Sequence, residues 1–148
     1  MTRDQQHYRV YLAGSVDDDW RSEFVKAYED SNCQVPLAFI DPSQVELSLD
    51  ANGILHQSVL TDISLVISSD LLIAYYSPGH IPIGTSCELF IAFNQGIPTI
   101  TLIDHRLQQL INHPWIRTLS QFIILTNKTQ FNEAWVFIND IVSKVFAL

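Results

Sequence analysis

Short apolar runs alternate along this chain with longer stretches in which apolar residues recur at helical spacing. The run Leu71–Tyr76 is apolar throughout, which is typical of a strand covered on both faces. This alternation predicts an α/β fold, a flavodoxin-like or Rossmann-like three-layer sandwich with a five-stranded parallel sheet and helices on both faces. The predicted strands are Arg9–Ala13, Gln34–Ile40, Leu71–Tyr76, Pro98–Ile103 and Gln121–Thr126.

Helices are predicted between these strands and after the last one. Any of Asp17, Asp18 and Asp19 could cap the first helix through a side-chain oxygen. The polar segment from Pro42 to about Gly53 is predicted to be a loop. The later helices are predicted at Ile54–Ser69, Thr85–Gln95, Arg106–Ile111 and Gln130–Phe146. The apolar side of the first of these is predicted to carry Leu55, Val59, Ile63, Val66 and Ile67.

Composition narrows the class of protein further. The 148 residues are 47% apolar, which suits one domain spanning residues 1–148. Sixteen acidic residues against eight basic ones argue against a nucleic-acid polymer or an anionic membrane as partner. No apolar run is long enough to cross a bilayer, and Met1–His7 lacks the apolar centre of a signal peptide. Cys33 and Cys87 form no disulfide or zinc pattern, so we expect a cytoplasmic protein.

Ligands of such sheets bind beyond the carboxyl ends of the strands, where the strand order reverses. The segments to inspect are therefore Tyr11–Asp19, Asp41–Gln44, Ser77–Glu88 and Asp104–His113. The first strand ends in a single glycine, Gly14, whereas a dinucleotide fingerprint needs three. A phosphate loop of the Walker type needs a lysine that this segment lacks. We therefore expect no cofactor and no bound metal.

The segment Gly84–Glu88 opens a helix directly after the loop that follows the third strand. Free backbone N–H groups at such a position favour a polar or anionic ligand, and Gly84 allows the ligand to approach closely. Glu88 has a structural explanation as well, because a carboxylate in the first turns complements the helix dipole. Asp62 could equally lie on a solvated helix face, and Tyr11 could be a packed aromatic residue of the first strand.

Together these segments resemble the nucleoside 2-deoxyribosyltransferase family, which includes hydrolases of deoxynucleoside monophosphates. The matching segments are Val10–Ser15, Asp62–Asp70, Gly84–Ala92 and Gly96–Pro98, and the resemblance spans roughly residues 9–112 in the same order. It implies a flavodoxin-like sheet, a small-molecule nucleoside or nucleotide as ligand, and a homo-oligomer.

The resemblance also implies roles for individual residues. Glu88 matches the nucleophile that attacks the anomeric carbon and forms a covalent glycosyl-enzyme, which a second base or water then resolves. Tyr11 matches the tyrosine that orients this carboxylate, and Asp62 matches the acid that holds the sugar. A hydrogen-bonded hydroxyl is expected to keep Glu88 ionised at neutral pH. The implied substrate-binding residues are Gly14, Ser15, Gly84, Thr85, His80 and Asn112, the last often reaching a neighbouring subunit's site.

Two positions depart from the family pattern. The transferases usually have an aspartate six residues before the nucleophile, where this chain has Pro82. His80 could replace it as general acid, or could be an ordinary exposed loop histidine. The monophosphate hydrolases bind phosphate through serine and arginine near the first loop, but here Ser15 is followed by three aspartates, and Arg21 is the nearby cation.

Three functional hypotheses follow. The first is an enzyme that cleaves or transfers the N-glycosidic bond of a 2-deoxynucleoside or nucleotide through Glu88. The second is a nucleoside-binding or nucleotide-binding module of the same fold with weak turnover, which Pro82 motivates. The third is a partner domain without a small-molecule site, for which the apolar last third of the chain would supply an interface.

Overall fold

Five parallel strands form one sheet in the computed structural model, which describes residues 6–16, 18–44 and 51–146, without the side chains of residues 44 and 51–56. The order across the sheet is β2-β1-β3-β4-β5. The predicted α/β sandwich with a five-stranded parallel sheet is confirmed. The strands are β1 (Tyr8–Ala13), β2 (Leu37–Ile40), β3 (Leu71–Tyr76), β4 (Thr99–Asp104) and β5 (Phe122–Thr126).

The strand order places a topological switch between β1 and β3. Strand β2 pairs with β1 on one side, and β3, which follows it along the chain, pairs with β1 on the other side, where Tyr11 lies opposite Leu72. The connections that follow β1 and β3 therefore diverge to opposite faces of the sheet. Such divergence opens a crevice at the carboxyl edge, where ligands of this fold class bind.

Helices cover both faces of the sheet. One apolar core lies between the sheet and α1 and α5, and a second lies against α2, α3 and α4. Short 3₁₀ turns occupy Pro42–Gln44, His105–Asn112 and Lys128–Gln130. The helices are α1 (Trp20–Asp30), α2 (Ala51–Ile67), α3 (Ile83–Asn94), α4 (Pro114–Leu119) and α5 (Phe131–Val145).

Alternation along β1 decides which residues face each core. Val10 and Leu12 enter the core beneath α1 and α5, while Tyr11 and Ala13 enter the core beneath α3. All four are fully buried. Tyr11 is thus directed to the side of the sheet on which α3 begins.

Several sequence predictions need correction. Helix α2 begins at Ala51, inside the segment predicted to be a loop, and β2 begins at Leu37 rather than Gln34. The segment predicted as a helix at 106–111 is a 3₁₀ turn with a kink at Leu107. Helix α4 was not predicted, although Pro114 at its first turn is a helix-start signal. In the described part of the chain, no helix is both long and apolar enough to cross a membrane.

Candidate active site

A cleft of about 460 Å³ lies at the carboxyl edge of the sheet, where the connections after β1 and β3 diverge. It brings together seven of the nine residues predicted for the site or its immediate surroundings, and Tyr11 lies beneath it in hydrogen-bond contact with Glu88. The described lining residues are Gly14, Ser15, Val16, Asp62, Gly79, His80, Ile81, Gly84, Thr85 and Glu88.

Glu88 and Tyr11 form the centre of this arrangement. Helix α3 begins at Ile83, so Glu88 lies in its second turn and its carboxylate reaches back over the end of β1. The buried Tyr11 hydroxyl donates a hydrogen bond to Glu88 Oε2. Glu88 is therefore held by a side chain from the sheet, and its carboxylate is oriented toward the cleft that it lines.

Burial controls the ionisation of Glu88. Loss of hydration raises the pKa of Glu88 from 4.5 to about 7; the Tyr11 hydrogen bond lowers it, and the charge of Asp62 raises it. The hydrogen bond favours the ionised form as expected, but burial outweighs it, so Glu88 is only partly ionised at neutral pH. Burial and the neighbouring Glu88 also raise the pKa of Tyr11 above its ordinary value, so its hydroxyl stays a donor.

Asp62 approaches the cleft from α2. Its carboxyl is half-buried, and burial raises its pKa above the ordinary range while the charge of Arg21 opposes that change. The same helix buries Val66 but leaves Val59 58% and Ile67 49% exposed, so its predicted apolar side is only partly correct. The side chain of Leu55, also predicted for that side, lies outside the described residues.

Arg21 organises the loop after β1. Its guanidinium donates to the carbonyl oxygens of Leu12, Gly14 and Ser15 at 3.0, 3.0 and 2.8 Å. The side chain is 6% exposed, and its Nε lies 3.5 Å from Asp41. Arg21 is therefore committed to the backbone and does not line the cleft as a cation for phosphate.

Gly14 allows the same loop to pack closely. A Cβ at this position would lie 2.6 Å from Trp20 Cζ2, and the Trp20 ring is fully buried. Trp20 Nε1 also donates to the Ser15 carbonyl oxygen at 3.2 Å. The absence of a side chain at Gly14 lets the strand end turn against this indole and places Ser15 at the cleft.

His80 also lines the cleft, after Gly79, whose φ of +81° suits glycine. His80 Nδ1 lies 3.0 Å from Ser15 Oγ, and its Nε2 lies 3.9 Å from Asp18 Oδ2. Asp18 in turn accepts a hydrogen bond from Lys128 Nζ at 2.7 Å. No local sequence pattern indicates a role for Lys128, which lies 110 positions from Asp18.

Among the described residues of the acidic run after Ser15, Asp19 does not cap α1 through its side chain as predicted. Asp19 occupies the N-cap position without a side-chain cap bond and instead accepts from Lys128 Nζ at 2.5 Å. Asp17, another of the three candidate caps, lies outside the described residues. Within residues 6–16, 18–44 and 51–146, no group of three or more His, Cys, Asp or Glu side chains is arranged to hold a metal ion.

Pro82 and Asn112 lie outside the cleft. Pro82 occupies the N-cap of α3 and lines a neighbouring apolar groove. Asn112 is exposed at the end of the 3₁₀ turn after β4. The segment Asp104–His113, which follows β4, thus contributes none of the described residues of the cleft.

Comparison with protein-family models and with curated proteins finds no match to this sequence. Among solved structures, the CMP N-glycosidase of Clostridium botulinum aligns with a TM-score of 0.59 and 19% identity, over 88% of this chain and 98% of that one. A conserved protein of Enterococcus faecalis V583 aligns at 0.49 and 19%, over 87% and 88%. A 2-deoxyribosyltransferase of Bacillus psychrosaccharolyticus aligns at 0.49 and 15%, over 64% and 72%.

The first alignment covers nearly the whole of both chains and establishes the fold. This chain has the same α/β fold as the CMP N-glycosidase of Clostridium botulinum, with the parallel five-stranded sheet that its sequence predicted. The neighbouring structures include an N-glycosidase and a deoxyribosyltransferase.

Proposed function

We propose that this protein cleaves or transfers the N-glycosidic bond of a 2-deoxynucleoside through a covalent glycosyl–Glu88 intermediate. The observation that carries the proposal is the Tyr11 hydroxyl bonded to the Glu88 carboxylate, in a cleft that Asp62 also lines. A buried, oriented carboxylate with a raised pKa is typical of a reacting group rather than a helix cap.

In this mechanism the ionised Glu88 attacks the anomeric carbon as the bond to the base breaks. The transition state has oxocarbenium character, so the carboxylate charge stabilises it before the covalent bond is complete. A second base or water then attacks from the vacated face and releases the sugar with retained configuration. Tyr11 keeps one Glu88 oxygen occupied and leaves the other for the substrate.

The neighbours of Glu88 would bind the sugar. Asp62 accepts hydrogen bonds from sugar hydroxyls, which are the donors a carboxylate can hold without a charge partner. Gly14 and Ser15 border the cleft at the end of β1, and Gly84 and Thr85 border it in the first turn of α3. A Cβ at Gly84 would meet only open space, so the sugar can approach the helix backbone closely there.

An uncharged nucleoside fits this cleft better than a nucleoside monophosphate. No lysine or arginine is among the described residues that line it, and Arg21 is occupied by backbone carbonyls. Residues 45–56 contain neither Lys nor Arg in their sequence. A phosphate would face Asp62 and Glu88 with no lysine or arginine among the described residues that line the cleft, which is costly in a partly buried site.

The proposal is tested by incubating the protein with a panel of 2-deoxynucleosides, with and without an acceptor base, and following free and exchanged base by chromatography. Wild type and Glu29→Gln, which changes an exposed carboxylate of α1, are expected to react alike. Glu88→Ala is expected to lose base release and exchange. Equal turnover by Glu88→Ala and wild type would remove Glu88 from its proposed role.

The alternative is a nucleoside-binding module with weak turnover, which Pro82 favours because it puts no acid where the transferases have one. It predicts that calorimetry detects nucleoside binding to wild type and to Glu88→Gln, with no product formed by either. Product formation that depends on Glu88 excludes it.

We also propose that the protein forms a homo-oligomer. An apolar groove of about 520 Å³ adjoins α3, and Trp115 and Phe90 at its rim are 63% and 45% exposed. Exposed apolar surface of this kind marks interaction sites. Asn112 lies next to His113 of this groove, from which it could reach a second copy. Sedimentation is expected to show an oligomer that Trp115→Glu dissociates; a monomeric wild type would contradict this.

A further inference from the structure

Three side chains lie next to one another beside the cleft. Ser15 comes from the end of β1, Asp18 from the same loop, and His80 from the loop after β3. His80 Nδ1 is 3.0 Å from Ser15 Oγ, and Nε2 is 3.9 Å from Asp18 Oδ2. Ser15 and His80 both line the cleft, which they share with Asp62 and Glu88.

We infer that His80 is the acid that protonates the leaving base, an inference that rests on the proposed glycosyl transfer through Glu88. The protonated His80 gives its Nε2 proton to the base as the C1′–N bond breaks, and the bond's electron pair remains on the base. A Glu88 oxygen forms the new bond to C1′. In the second step, water bonds to C1′, its proton passes to His80 Nε2, and the Glu88 oxygen regains its electron pair.

The hydrogen bond to Ser15 determines which nitrogen of His80 can do this. Both nitrogens of the protonated ring carry hydrogen, so Nδ1–H then donates to Ser15 Oγ, and loss of the Nε2 proton leaves this bond in place. The 3.9 Å separation from Asp18 is too long for a hydrogen bond, so the Nε2 proton is not committed to that carboxylate. When His80 is protonated, its Nε2 lies within ion-pair distance of Asp18. Ser15 and Asp18 are positioning residues in this scheme.

Lys128 fixes Asp18 from outside the cleft. Its Nζ donates to Asp18 Oδ1 at 2.7 Å and to Asp19 Oδ1 at 2.5 Å, which ties the loop after β1 to the 3₁₀ turn after β5. These bonds raise the pKa of Lys128 above its usual range, so it remains charged. Lys128 is thus a third positioning residue, although it lies outside the cleft.

The cleft needs such an acid. Pro82 occupies the α3 N-cap and carries no proton. Among the described lining residues, only Asp62 and His80 remain as titratable groups once Glu88 acts as nucleophile. Asp62 is assigned to the sugar. Because it is the other titratable residue, it is the competing proton donor that an experiment must distinguish from His80.

Two substrates with different leaving bases can distinguish proton donation by His80 from a purely structural role of this residue. The base of 2-deoxyguanosine needs a proton to leave, whereas the cationic base of 7-methyl-2-deoxyguanosine leaves without one. His80→Gln and His80→Asn are expected to lose about 10²–10⁴-fold in kcat/KM on 2-deoxyguanosine and to stay close to wild type on the methylated substrate. Lys128→Gln is expected to show a smaller loss with the same selectivity. Lys144→Gln, which removes a remote ion pair on α5, is the control.

Equal losses on both substrates would overturn the inference, because a structural defect does not depend on the leaving group. A selective loss in Asp62→Asn, with His80→Gln close to wild type on both substrates, would assign the proton to Asp62 and also overturn it. If Glu88→Ala retains full wild-type activity, the proposed function fails, and this inference fails with it. Glu88-dependent turnover with nonselective His80 variants rejects the inference alone.

Discussion

Replacing Glu88 by Gln should stabilise the fold at alkaline pH. Burial raises the pKa of Glu88 from 4.5 to about 7, so the native state opposes ionisation that the unfolded chain undergoes freely. Gln cannot ionise, has nearly the same shape and keeps an oxygen that can accept the Tyr11 hydrogen bond. The substitution therefore removes the penalty of a buried charge and leaves the packing in place.

The size and sign of the effect follow from the two pKa values. Between pH 4.5 and about 7 the native state retains a proton that the unfolded chain has lost, so the free energy of unfolding falls as the pH rises. The total decrease in the free energy of unfolding is about 3 kcal/mol, and it is complete above the pKa of Glu88 in the native state. From pH 5 to pH 8 the expected gain of Glu88→Gln over wild type grows by about 2.5 kcal/mol.

Urea unfolding at pH 5 and pH 8 measures this difference. The comparison uses wild type, Glu88→Gln and the exposed-site control Glu29→Gln, whose offset from wild type should change little with pH. An advantage of Glu88→Gln that is the same at both pH values, or larger at pH 5, would refute the claim that burial holds a proton on Glu88.

Three further predictions concern the site and its support. Tyr11→Phe removes a bond that lowers the pKa of Glu88, so the rise of kcat/KM with pH, expected near pH 7 in wild type, should shift to higher pH. Gly14→Ala forces a methyl group against the buried Trp20 ring and should lower the free energy of unfolding by about 1–3 kcal/mol. Gly84→Ala places its methyl group in open space and should lower it far less. Similar losses in thermal unfolding of the two variants would contradict the packing argument. A 2-deoxynucleoside should have a higher kcat/KM than its 5′-monophosphate, and the reverse order would contradict the charge argument.

The sequence was sufficient to predict the sheet and the convergence of the main site residues. Strand and helix periodicities are local properties, and the rule that ligands bind beyond the carboxyl ends of the strands selected the loops after β1, β2, β3 and β4, of which those after β1 and β3 line the cleft. Asp62 lies outside these loops, and only the family resemblance pointed to it. Tyr11, Asp62 and Glu88 come from three separate elements, yet the parallel topology brings them to one edge.

Properties that depend on tertiary packing were not predictable in the same way. The ionisation of Glu88 depends on how deeply α3 buries it, and the sequence suggested the opposite balance. Arg21 was considered as a phosphate ligand, but its surroundings turn it toward carbonyl oxygens. The Lys128–Asp18 ion pair joins residues 110 positions apart, and no local sequence pattern predicts it.

The covalent intermediate is the central claim, and trapping it is the most direct test. A 2-deoxy-2-fluoronucleoside slows hydrolysis of a glycosyl-enzyme, because the fluorine destabilises the second oxocarbenium-like transition state. Mass spectrometry of wild type after incubation is expected to show one added fluorosugar, located on the peptide that contains Glu88 and absent from Glu88→Gln. Release of the base without any adduct, or an adduct at another residue, would contradict nucleophilic attack by Glu88.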